Sequence, residues 1–172
     1  MTINPNLQTT HDELSVASQG KRSPTVVCLP AGEVIFRFAS TKRQTTGESI
    51  PSDQWARGAW WIREADYKVI IERFKTGHLS LGTVARSAAA VQPSWSNMDV
   101  SIKAYLLDDI NVYVGRGSTQ YRDVLPNGMC MTLPGWPDIE QIYIPGMGRN
   151  GSTFRSIKVQ RQKVISTDNF GF

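Results

Sequence analysis

Val100, Ile102, Ala104 and Leu106 alternate with Ser101, Lys103 and Tyr105, the period-two pattern of a strand with one buried face. Further strand-like runs follow at 110–114, 129–133, 139–144 and 154–165, broken by Gly115-Arg116-Gly117, Pro134-Gly135-Trp136-Pro137 and Gly146-Met147-Gly148. Helical spacing falls earlier. Tyr67, Ile70 or Ile71, and Phe74 recur at helical intervals over 64–75, with Gly77 just past the end, and Leu79 to Val91 suits a second helix or a strand start. With Thr25 to Leu29 and Glu33 to Ser40 as early strands, this order excludes alternating βαβ units. It predicts an α+β domain: a mainly antiparallel sheet with one or two helices in the first half.

A chain of 172 residues suffices for one core. Residues 1–24 are polar, without an apolar period, and are expected to form a flexible leader before a single domain over 25–172. The start lacks the basic and apolar regions of a secretory signal, which points to a cytoplasmic protein or one translocated by another route. No apolar run approaches a membrane helix, so no membrane partner is expected. Cys28 and Cys130 are too few for a disulfide framework and are expected in the core. The Gly146 to Gly151 segment imitates a dinucleotide fingerprint but lies between strands, so it is expected to be a hairpin loop.

Two histidines, His11 and His78, leave multi-histidine metal chemistry unsupported, and no serine sits in a nucleophile elbow. The net charge of +4 is mild. Its late group, Arg155, Lys158, Arg161 and Lys163, alternates with Phe154, Ile157 and Val159, as a solvated edge strand does; attraction to a polyanion is the other reading. What remains is a set of arginine, aromatics and carboxylate. Arg37 stands inside the apolar run Val34 to Ala39, where a guanidinium is costly unless matched. Two accounts stay open: an ion pair with Glu33, Glu48 or Asp99, or an anion-holding role. Trp60 and Trp61, in Gly58-Ala59-Trp60-Trp61-Ile62, alternate, so one should serve the core and one a cleft. Glu140, two residues after Asp138, shares its face with Ile142 and Ile144. A guanidinium fork suits pyrophosphate, a Trp face suits a flat cationic ring, and a carboxylate stabilises positive charge developing on a sugar. NAD, cleaved at its nicotinamide bond, combines the three.

Phe36-Arg37-Phe38, the Trp pair before a helix, and Asp138-Ile139-Glu140-Gln141-Ile142-Tyr143-Ile144-Pro145 follow one another in an order that resembles the mono-ADP-ribosyltransferase fold family of bacterial toxins and effectors. The family's Ser-Thr-Ser element is missing, and its Glu-x-Glu is Asp138-x-Glu140 here. The resemblance implies an ADP-ribosyltransferase-like fold with a split sheet, and an NAD-dependent transferase or NAD glycohydrolase. Arg37, Ser40, Trp60 and Trp61 would hold NAD, Glu140 would be catalytic, and Asp138 and Gln141 would lie on the acceptor side. The acceptor, a protein or a nucleic acid, and the oligomeric state are left open. Arg37, one Trp and Glu140 are then expected to line one cleft. The alternative is a non-enzymatic binding or inhibitor protein that presents a basic, aromatic-bearing surface to a protein or nucleic acid.

Overall fold

The computed structural model describes residues 2–7, 21–124, 128, 130–147 and 151–167. Nine strands and two α-helices order the described residues: β1 (Lys21–Leu29), β2 (Val34–Ala39), β3 (Trp60–Arg63), α1 (Glu64–Thr76), α2 (Leu81–Ala89), β4 (Val100–Leu106), β5 (Ile110–Gly117), β6 (Gln120–Val124), β7 (Cys130–Leu133), β8 (Glu140–Tyr143) and β9 (Ile157–Val164). Seven strands make one sheet in the order β1-β5-β8-β3-β2-β4-β9, antiparallel at every pairing, and β6 pairs with β7. The class is therefore α+β with a large antiparallel sheet.

Two short connections force this sheet to fold over. β4 and β5 lie four inter-strand spacings apart, roughly 19 Å in a flat sheet. The chain from Leu106 to Ile110 reaches at most about 14 Å. The link from Leu29 to Val34 spans the same number of strands with little more chain. Both are possible only if the two halves of the sheet curl toward each other. Accordingly Ile102 and Ala104 of β4 share a core with Ile110, Val112 and Val114 of β5 and with Trp61, Ile142 and Ile144. The two turns also bind one another: Gly32, at φ +86°, donates its N–H to Leu106 O, and Asp109 Oδ1 accepts from Ala31 N.

The opposite face is covered by the helices. Phe36, Ile62, Ile70, Val84, Ala85, Ala88 and Ile139 form a second core there. Tyr67 of α1 stacks on Phe36 with ring centroids 3.9 Å apart. α2 starts where the Ser80 side chain accepts from Thr83 N and stops at Ala90, which takes the left-handed conformation at φ 52°. Pairing between β2 and β3 covers only Ile35 with Arg63 and Phe36 with Ile62. Beyond those pairs β2 and β3 make no further pairing and part from each other within one continuous sheet.

Several expectations change. Residues 21–24 belong to β1, and residues 2–7 dock on the fold, because Ile3 bridges to Ile110 and buried Leu7 accepts from Tyr113 Oη at 2.7 Å. The flexible-leader expectation therefore fails for these residues, and 8–20 lie outside the described ones. Cys28 and Cys130 are exposed, since β1 is an edge strand and Cys130 sits on the small two-stranded sheet. The chain around Gly146 does not make a hairpin: β8 pairs with β3 and β5, whereas β9 pairs with β4. Residues 148–150 of that segment lie outside the described ones. β9 is an edge strand with Lys158, Arg161 and Lys163 exposed. Among the described residues no helix is long and apolar enough to cross a membrane, and no cluster of metal-ligating side chains occurs.

Candidate functional site

The split between β2 and β3 opens a cleft of about 450 Å³. Phe36, Phe38 and Trp60 wall it from the sheet, Ala90 and Trp95 from the end of α2 and the loop that follows, and Gln141 from β8. A second cleft of about 350 Å³ adjoins it and shares Arg37, Trp95 and Ser96. Besides Arg37, its walls carry Lys42, Arg43 and Arg57. An aromatic pocket thus opens beside a cationic basin, with Arg37 at the junction. Among the described residues lining either cleft there is no Asp or Glu.

Arg37 bridges the split. Its Nη1 donates to Trp60 O at 2.9 Å and its Nε to Trp55 O at 3.4 Å. Gly58 is required beneath it, because a Cβ there would overlap the guanidinium. The carboxylates that could have paired with it are engaged elsewhere. Glu33 meets Arg63, Glu48 meets Arg43, and Asp99 accepts from the backbone N–H and hydroxyl of Thr41. Burial lowers the Arg37 pKa to about 10, which still leaves it charged at neutral pH. Among the described residues it is held by carbonyls alone, and a partly desolvated cation so held is a prepared site for an anion.

The Trp pair divides in part as alternation predicts, since Trp60 also packs against the small core of Leu7, Tyr113 and Tyr143. Trp61 is 1% exposed, packs in the inner core and donates Nε1–H to Gly58 O at 2.7 Å. Trp60 is half-buried, meets Tyr143 edge-on at 5.0 Å between centroids, and turns toward the cleft, although both residues contribute to its lining. Ser40 lies in the basin wall, where its Oγ accepts from Asn97 N at 2.6 Å and meets Ser96 Oγ at 3.1 Å. It therefore holds the Trp95 loop. Arg86, 5% exposed, holds the same loop from the helix side, donating to Val91 O and Ser96 O.

The acidic candidates fall elsewhere. Glu140 is exposed and lines neither cleft, its backbone N–H donating to Asp66 Oδ1 at 3.3 Å. The reason is a one-residue offset: Gln141, opposite Ile62, takes the cleft-side position on β8, and Glu140 occupies the strand's exposed start. The expected single cleft for Arg37, a Trp and Glu140 is thus formed by the first two with Gln141. Gln141 is 5% exposed and donates from Nε2 to Ala89 O at 2.7 Å. Asp138 is exposed and pairs with Arg73 at 2.5 Å. Sequence reasoning missed Trp95, in the polar loop after Pro93, and the cations Lys42, Arg43 and Arg57 of the long loop between β2 and β3.

Asp66, in the first turn of α1, has its pKa raised, chiefly by burial and further by the charges of Glu140 and Asp138; the Glu140 N–H and Arg63 oppose the rise. The folded protein then holds this proton more tightly than the unfolded chain, so stability falls as pH rises through the folded-state pKa. Asp66→Asn keeps an acceptor for the Glu140 N–H and removes the charge. Since the group is only half-buried, the variant is expected to melt about 1–2 °C higher at pH 7 and no higher near pH 3, by calorimetry at both pH values.

No family model and no curated protein matches this chain. A chain of the solved structure described as "Rhs1-CT in complex with cognate immunity protein RhsI1" is similar in fold, with a TM-score of 0.54 at 11% identity over 91% of this chain and 98% of that one.

Proposed function

We propose that the joined clefts bind NAD and that the chain is an NAD-consuming enzyme of the ADP-ribosyltransferase or NAD glycohydrolase type. The observation that carries this reading is the position of Arg37, a half-buried cation with no carboxylate partner among the described residues, between an aromatic pocket and a basin bearing three further cations. The nicotinamide ring fits between aromatic faces, and the pyrophosphate suits the guanidinium and the basin. Phe36-Arg37-Phe38, the Trp pair and the Asp138-to-Pro145 segment are distant in sequence yet contribute the adjoining strands β2, β3 and β8. That adjacency supports the resemblance from which the reading began.

In the reaction, the bond between nicotinamide N1 and ribose C1 breaks with its electron pair leaving on nicotinamide. The oxocarbenium-like sugar then takes an electron pair from a protein, nucleic-acid or water nucleophile, which gives up a proton. For Glu140 to support that charge, its carboxylate has to swing from the exposed start of β8 past Gln141. The lack of a carboxylate among the described residues of the cleft lining favours a second reading, a module that binds the dinucleotide without cleaving it. The fold likeness to a chain from a complex with an immunity protein supports a toxin or effector role, with a protein partner that neutralises it.

Incubating the chain with NAD should release nicotinamide, and Glu140→Gln should cut the release at least a hundredfold while leaving the NAD-induced rise in melting temperature intact. A melting shift without nicotinamide selects the binding module. Neither signal at millimolar NAD overturns both readings.

A further inference from the structure

A second charged surface lies at the opposite edge of the β2 half of the sheet. β9 pairs with β4 so that Lys163 faces Ser101, Arg161 faces Lys103 and Lys158 faces Tyr105. Lys158 and Arg161 are three residues apart, so a regular strand would send them to opposite faces. The ladder shifts between Lys103 and Ala104, leaving Gln160 as the extra residue of a bulge. That bulge turns Lys158 onto the face of Arg161 and Lys163, as bulges re-aim side chains. Two cations, Lys103 and Arg161, stand directly opposite each other, an arrangement that destabilises an isolated sheet.

Among the described residues, none of Lys103, Lys158, Arg161 and Lys163 takes part in an ion pair. Glu64 and Glu72 of the neighbouring α1 are each paired with a lysine of their own helix. Tyr105 lies within the strip, with Lys158 Nζ 5.9 Å from its ring centroid. The cations of β9 extend along four ladder steps, roughly 14 Å of an edge strand, longer than one small anion can span.

We propose that this edge binds single-stranded nucleic acid, with Lys103, Lys158, Arg161 and Lys163 on its phosphates and the Tyr105 ring beside a base. A row of cations beside an aromatic ring suits a strand whose charges repeat regularly and whose bases have flat faces. None of these side chains lines either cleft, so the proposal stands or falls apart from the NAD reading, although Lys103 Nζ lies 6.0 Å from the ring centroid of Phe36, a cleft wall.

The test is fluorescence anisotropy with a labelled 20-nucleotide oligothymidine at low salt. The triple variant Lys158→Glu, Arg161→Glu, Lys163→Glu should bind at least tenfold more weakly, and its affinity should depend less steeply on salt, by a slope of about 2. Its far-ultraviolet circular dichroism should match the wild type. If that variant fails to fold, the milder pair Lys103→Gln and Arg161→Gln should still weaken binding several-fold. Affinities within twofold of wild type in a folded variant would overturn the proposal. So would a poly-glutamate peptide that competes as well as unlabelled oligothymidine, which would mark the edge as a site for acidic protein.

Discussion

Replacing Arg37 by Leu is expected to lower the unfolding free energy by about 2 kcal/mol and to weaken NAD binding about a hundredfold, the largest combined effect of any single change in the domain. Two opposing terms set the stability figure. The carbonyls of Trp55 and Trp60 lose their donors, at about 1–3 kcal/mol each where they remain buried, and the shorter side chain leaves space beneath Gly58. Against this, the wild-type charge is itself costly, since burial lowers its pKa and so disfavours the charged form. The losses exceed the relief by a small margin. Arg37→Lys should fare little better, because one ammonium cannot place donors on two carbonyls across the split as a planar fork does. Urea denaturation and titration calorimetry with NAD check both parts. A variant as stable as wild type that binds NAD normally would mean that the guanidinium neither holds the split nor meets the ligand.

The sequence made much of the sheet legible because period-two alternation is a local signal. Val100 to Leu106 became a strand at the expected bounds, and the helix expected over 64–75 runs over Glu64–Thr76. The curl of the sheet was not legible as a pattern, because it follows from which strands pair across long sequence distances. It becomes necessary only once the strand order is combined with the short links at 30–33 and 107–109. Arg37 was visible as a misplaced charge, but its match is two main-chain carbonyls, and carbonyls leave no mark in a sequence. Glu140 shows the sharpest limit. Alternation correctly put it on the face of Ile142, yet the cleft opens where Gln141 points, and that depends on how β2 and β3 part. The docking of Leu7 against Tyr113 was hidden for a related reason: a single apolar residue in a polar stretch has no period to reveal it.

Trp95 allows ligand binding to be separated from folding, which Arg37 does not. Its side chain is 59% exposed, and it belongs to none of the buried cores. The loop that carries it is held by others. Arg86 donates to the carbonyls of Val91 and Ser96, and Ser40 accepts from Asn97 N, while Ala90 and Met98 bracket the loop in the left-handed conformation. Trp95→Ala should therefore leave the melting temperature of the protein alone within about 2 °C, as surface truncations do. The same residue walls both the aromatic pocket and the cationic basin, so a ligand spanning the two must pass along its ring. Losing one stacking face is expected to weaken NAD binding about tenfold or more, within the range measured for ring stacking on aromatic side chains. Adenosine diphosphate ribose, which lacks nicotinamide, distinguishes the two ends of the site. If Trp95 stacks on nicotinamide, the variant should bind this compound as the wild type does; if it stacks on adenine, the loss should be equal for both ligands. A Trp95→Ala protein that binds NAD with wild-type affinity would place the dinucleotide outside these clefts and remove the ground for reading Arg37 as its anchor.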